Sequence, residues 1–201
     1  MFYIFDRKGK NIGSCDFEPS AEDLATREEV AVEFNKAFEG DLILVDNKIV
    51  VIKKRPSEYH ELVNNEWVLF DEKIKQQLED FRDKRLKELN NTAEQFVDKI
   101  TKVSETPEFE RATWPFQREE ALKWHEDNTA ETPNLVVIAT NREEDINVLR
   151  EKTYNKTVFY QLVTTTIAGQ RQKYEKKINK AKTLEELNSL EFKFKFEVPN
   201  V

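Results

Sequence analysis

The chain has 201 residues, 35% of them charged and 38% hydrophobic, with 14 Phe, 5 Tyr, 3 Trp and a formal net charge of −7. That is enough apolar and aromatic material for one or two small folded domains, and it excludes a disordered chain. One Cys, two His and 4 Gly exclude a disulfide framework, the usual Cys/His zinc patterns and the glycine loops that cradle phosphate, while the negative balance opposes a nucleic-acid backbone.

The first 70 residues read as a small antiparallel β module. Phe2-Tyr-Ile-Phe5 and Ile12 to Cys15 form a hairpin pattern around Asp6-Arg7-Lys8-Gly9. Ser20-Ala-Glu-Asp23 starts a helical turn anchored by Leu24, and Glu29 to Phe34 alternates as a half-buried strand does. Leu42 to Val45 and Lys48 to Ile52 flank Asp46-Asn47, a pair that tolerates positive φ. Glu58 to Val63 and Glu66 to Leu69 repeat the device around Asn64-Asn65.

From Asp71 the period changes from two to 3.6. Ile74, Leu78 and Phe81, then Leu86, Leu89, Ala93, Phe96, Ile100 and Val103, form helical stripes, with a five-residue step between them. The reading is one long connecting helix over 71–104, able to form a coiled coil and so a homo-oligomer. A break at Asn90-Asn91 is the alternative, because Thr92-Ala-Glu-Gln95 is a capping box. Residues 105–201 read as a helical domain. Thr106-Pro107 puts Pro at a first helical position, Pro115 kinks or restarts the helix, and Thr132-Pro133 opens another. A long helix follows over about 145–182, in preference to a strand at Val163 to Ile167, and Thr183-Leu-Glu-Glu186 caps a last one. Phe192, Phe194, Phe196 and Val198 alternate as a short C-terminal strand whose aromatic face must cover something. The fold class is α+β.

No chemistry stands out. His60 and His125 lack a partner at ligand spacing, and Cys15 reads as a small apolar residue in a hairpin. Glu119-Glu120 and Glu143-Glu144-Asp145 read as solvated acids, and Lys173 to Lys182 as cations at a helix C-terminus. Lys53-Lys54-Arg55 is the other basic run. A hydrolase using His125 beside Glu126 or Asp127 is the remote catalytic alternative. The expected sets of catalytic, cofactor-binding and metal-ligating residues are therefore empty, with no cofactor and no nucleic-acid partner. No run reaches the roughly 20 apolar residues of a membrane span. The opening residues lack the basic and apolar regions of a secretory leader. The candidate partner-binding residues are aromatic: Phe2, Tyr3, Tyr59 and Trp67 of the β module, and Phe192, Phe194 and Phe196 of the tail.

Three ordered stretches carry a resemblance. They are Phe109-Glu-Arg-Ala-Thr-Trp-Pro-Phe-Gln-Arg-Glu-Glu-Ala-Leu-Lys-Trp124, Thr132-Pro-Asn-Leu-Val-Val-Ile-Ala-Thr-Asn-Arg142, and Ile167-Ala-Gly-Gln-Arg-Gln172 with Ala181 to Leu187. Together they resemble a domain of bacteriophage and prophage tail-fibre assembly proteins. Phe2 to Gly9 and Leu44 to Ile49 resemble that family's N-terminal β module. Arg142-Glu143 stands where the pattern has Arg-Gly, which argues against a positive-φ turn there. The resemblance implies a non-enzymatic chaperone that binds the C-terminal region of a tail fibre in the bacterial host cytoplasm, or that stays on the virion tail. A structural or adhesion component of a phage tail or related injection apparatus is the alternative.

Overall fold

The computed structural model describes residues 1–197; Val198, read above as part of the tail strand, lies outside them. The fold is α+β, with small antiparallel sheets followed by a mostly helical region. The chain divides into two units, Met1–Glu79 and Asp80–Val201.

In the first unit the β-favouring runs form three separate sheets among the described residues. The first has the order β2-β1-β3, with β1 at Phe2–Phe5, β2 at Asn11–Cys15 and β3 at Val30–Glu33. Between β2 and β3, helix α1 (Ala21–Thr26) is capped by Ser20, whose side chain accepts from the Asp23 N–H. Strands β4 (Asp41–Val45) and β5 (Lys48–Ile52) form one two-stranded sheet, and β6 (Glu61–Val63) and β7 (Glu66–Val68) form another. Asp46 and Asn47 have φ of 48° and 59°, Asn64 and Asn65 of 49° and 67°. Two successive positive φ values match the strand twist, so both two-residue turns close their hairpins in register. Glu58 to His60 are not strand; the Arg55 side chain holds that stretch as a loop by donating to the carbonyls of Glu58 and His60.

Helix α2 runs unbroken over Asp71–Thr101. Thr92 continues the helix instead of capping a new one, its hydroxyl donating back to the Glu88 carbonyl. The helix stops three residues short of the expected 104. Lys102 turns into the left-handed region at φ 55°, and Val103–Glu105 forms a single 3-10 turn. Asp98 holds that turn, accepting from the Ser104 N–H at 2.7 Å and the Ser104 hydroxyl at 2.6 Å. These bonds favour the carboxylate and lower the Asp98 pKa below its ordinary value. A lowered folded-state pKa contributes stability above the unfolded value, and that contribution is lost as pH falls through the folded one. Asp98→Asn is therefore expected to flatten the acid limb of the stability–pH curve below about pH 4; an unchanged limb in denaturation series would reject this.

The helices of the second unit start at the expected signals with local differences. Short helix α3 (Glu108–Arg111) has Pro107 at its N-cap, not at its first helical position. Helix α4 (Trp114–Glu126) takes Pro115 in its first turn, where the missing N–H costs nothing. Helix α5 (Pro133–Asn141) follows, then α6 (Ile146–Lys180), capped by Asp145, and α7 (Leu184–Asn188), capped by Thr183. Val163 to Ile167 lie inside α6, with Val163 and Ile167 buried, so the flanking helical period outweighs their β-branching. Helices α4, α5 and α6 pack together around Ala121, Leu135, Ala139 and Leu149.

Helix α5 ends at Asn141 with Arg142 as its C-cap, and the next residue, Glu143, has φ 52°. The Glu143 N–H bonds to the Thr140 carbonyl and the Glu144 N–H to the Ala139 carbonyl, the pair of bonds of a Schellman stop. The positive-φ turn is therefore present despite the Glu. Glu143→Gly is expected to raise stability by about 1 kcal/mol, because glycine removes the left-handed penalty; thermal or urea unfolding checks the sign.

The tail is the main correction. Residues 191–197 belong to no sheet. They run along α6, where the Tyr174 hydroxyl and the Gln170 amide bond the backbone of Lys193 and Lys195. A period of two implies extended chain, and that is what forms; what it pairs with is a helix.

Candidate protein-interaction site

The β unit holds a concavity of about 300 Å³ lined by Tyr3, Lys10, Phe38, Asp41, Arg55 and Trp67 among others. Tyr3 reaches it from β1, and alternation along the strand sends Phe2 to the opposite face. Tyr3, Phe34 and Phe38 meet edge to face, with centroids 5.7–6.3 Å apart. Such packing holds the rings in one orientation. On the other wall, the Trp67 Nε1–H donates to the Lys53 carbonyl at 2.6 Å and the Arg55 guanidinium sits 5.5 Å from the indole centroid.

Arg55 positions this wall. Its backbone N–H donates to Asp41 Oδ2 at 2.6 Å, and its guanidinium donates to the His60 carbonyl at 3.0 and 2.8 Å. One residue thus ties β4, through its backbone N–H, to the 53–60 loop and Trp67 of β7, through its side chain. Gly40 and Gly9 flank the arrangement with φ of 129° and 75°, each set against a backbone carbonyl oxygen, of Ile52 and Leu44 respectively. The result is a rigid aromatic lining with a cation at its side, chemistry suited to gripping an apolar side chain and its backbone.

Of the residues expected from sequence, the structure brings Tyr3 and Trp67 into one concavity. Tyr59 is half-buried in the 57–60 loop, its N–H directed to the Ser57 hydroxyl. Phe192, Phe194 and Phe196 belong to the other unit and are engaged there. Phe192 and Phe194 pack on Tyr174, Phe194 also on Phe96, and Phe196 on Phe159. Sequence reasoning missed Phe38 and Asp41 and placed Arg55 in a basic run. Phe38 sits in an irregular stretch with no period to mark it.

His125, His60 and Cys15 each have a local partner. His125 stacks on Tyr154 with centroids 3.6 Å apart, and His60 Nδ1 shares a 2.8 Å hydrogen bond with the Ser57 hydroxyl. The Cys15 thiol points to the Phe17 carbonyl. Among the described residues no group of three His, Cys, Asp or Glu is placed to hold a metal ion, and no helix is long and apolar enough to cross a membrane.

Glu120, read as a solvated acid, is instead buried. It accepts from the N–H groups of Asn134 and Leu135 and from the Asn134 side-chain amide at 2.6–3.0 Å. The helix-start signal Thr132 does not cap α5; its hydroxyl accepts from Arg150 Nε at 2.9 Å. Glu120 and Thr132 both lie in the stretches that carry the phage-tail resemblance, so those motifs build the α4–α5–α6 junction.

A family model described as the HI1402 helical domain matches residues 155–191. That segment is less than a fifth of the chain and covers most of α6, all of α7 and the residues leading into the tail. The chain is similar to that family over this segment. No curated protein and no solved structure matches.

Proposed function

We propose that this chain is a non-enzymatic assembly chaperone for a phage tail fibre, acting in the bacterial host cytoplasm on the fibre's C-terminal region. The observation that carries the reading is the aromatic concavity of Tyr3, Phe38 and Trp67 in a unit whose strands keep open edges. Among the described residues strand β3 pairs only with β1, and Val30 on it is exposed, as are Ile12 on β2 and Phe17 after it. Fibres fold slowly through species with unpaired strands and apolar surface. A partner with its own free edges and an aromatic grip shields both. The resemblance of the three helical stretches supports the same reading.

Co-expression with the product of the neighbouring fibre gene tests it. A complex formed through the fibre's C-terminal region is expected, with fibre trimer yield falling when the chain is omitted. The Tyr3→Ser, Phe38→Ser double variant, folded by circular dichroism, is expected to recover at least tenfold less fibre. Trimer yield that is the same with and without the chain ends the proposal.

A further inference from the structure

A groove of about 440 Å³ opens in the helical unit, lined by residues of α2, the 3-10 turn, α3 and α6. That volume is in the range of small-molecule sites. Ala93, Val97 and Thr101 follow one another at four-residue spacing along α2, so this wall is about 12 Å long at the helical rise. Ile167 of α6 faces the groove too, and Ala93 and Ile167 are buried apolar floor. The Thr101 and Thr164 hydroxyls are spent on the Val97 and Tyr160 carbonyls. The lining also reaches the surface: Tyr160 is 41% exposed, and Glu94 and Ala168 are exposed.

Four charged residues line the groove, and three are accounted for. Asp98 accepts from the Ser104 N–H and hydroxyl. Arg171 donates to Asn90 and pairs with Glu175 at 2.7 Å. Glu94 is solvated on the exposed side of α2. Arg111 is different. It is half-buried, its Nε is buried with no hydrogen-bond partner, and among the described residues it forms neither hydrogen bond nor ion pair. Its charge reaches Asp98 through space and helps lower that pKa, after the Ser104 bonds, without a bond between the two. The terminal Nη groups of Arg111 are not buried, so they are what it offers the groove. A guanidinium that has lost part of its hydration and gained no partner is a cost that an incoming acceptor removes. The Tyr160 hydroxyl is a second unspent donor on the same lining, among the described residues.

We infer that this groove binds a small-molecule monocarboxylate with a linear apolar chain, its head on the Arg111 Nη pair and its chain along Ala93, Val97 and Ile167. A carboxylate fits the guanidinium fork with two parallel N–H···O bonds, which a neutral hydroxyl cannot supply. The two acids of the lining, Glu94 and Asp98, are both on α2. They repel a head set against that helix and leave it the Arg111 side, and they disfavour a ligand with more than one negative charge. A wall of about 12 Å sets a chain of medium length. The inference does not depend on the chaperone reading and uses a site in the other unit.

Titration of the isotope-labelled full chain with octanoate, followed by amide and methyl NMR, tests the site. Saturable shifts are expected at Val97, Thr164 and Ala168, with a Kd below about 1 mM. Octanol carries the same chain on a neutral head and is expected to bind roughly tenfold more weakly, the worth of the charge-assisted pair. Butanoate keeps the head and shortens the chain, and a loss of roughly tenfold is expected for it too. Arg111→Gln, folded by circular dichroism, is expected to weaken octanoate roughly tenfold and leave octanol unchanged, so that the preference for the acid disappears. Glu94→Gln is expected to tighten octanoate by about twofold, because it removes a like charge. Ala168→Trp, at an exposed position of α6, is expected to fill the groove and abolish binding of both. Absence of saturable shifts in the folded wild-type chain overturns the inference. Equal affinity for octanoate and octanol overturns it as well, as does octanoate binding that survives Arg111→Gln or Ala168→Trp unchanged.

Discussion

Glu120→Ala is expected to lower the stability of the helical unit by about 3 kcal/mol, from the loss of charge-assisted bonds worth about 1.5–3 kcal/mol each, offset in part by relaxation. Helix α5 begins with Pro133, which has no N–H, so its first free donors are those of Asn134 and Leu135. Glu120 takes both, at 3.0 and 2.9 Å, and the Leu135 bond is buried. The carboxylate also faces the positive end of the helix. Removing it strands a buried donor that water does not reach. Glu120→Gln keeps the shape and one acceptor oxygen but turns an amide toward the donors, so a smaller loss of about 1–2 kcal/mol is expected. Denaturant titration reads both as a midpoint shift at constant slope. A loss under about 1 kcal/mol for the alanine variant would show that α5 is capped by other means.

Gly9→Ala is expected to cost the β unit about 2–4 kcal/mol, a value in the range of backbone strain added to a steric clash. Gly9 has φ 75°, and a Cβ there would overlap the Leu44 carbonyl oxygen. The clash is with backbone, so no rotamer relieves it. Relief requires β4 to move, which breaks the Leu44 N–H to Gly9 carbonyl bond of 2.8 Å and the Lys10–Ile43 bridge. Gly13→Ala is the control: it has nothing within 4 Å of the added Cβ, and its expected effect stays within about 0.5 kcal/mol. Equal losses at the two glycines would mean that chain entropy, not the close approach, sets the cost.

The hairpins were legible because their signals are local. Asp46-Asn47 and Asn64-Asn65 carry their turn geometry within two residues. The long helices were legible through repeated apolar spacing. Glu120 was not, since its cap lies 14 residues away and nothing in a run of acids marks one as buried. The phenylalanine tail was half legible. Alternation specifies extended backbone, yet the edge bonds come from Gln170 and Tyr174, two side chains inside a helix. At the candidate site, Tyr3 and Trp67 showed in the aromatic pattern of the strands. Phe38 lies between elements, and Arg55 acts through carbonyl bonds that sequence spacing does not encode.

Arg82 and Arg85 of α2 donate to the carbonyls of Ala181 and Leu190, residues 99 and 105 positions later. On the ribosome, at roughly 5–20 residues per second, Arg85 is made roughly 5–20 s before its acceptor. Phe96 likewise precedes Phe194. The strand pairings of the first unit close over far shorter stretches of chain. Throughout that interval the nascent α2 displays its apolar stripe with only local partners, such as Glu88 for Arg85, which makes it a segment that a holding factor would shield during synthesis.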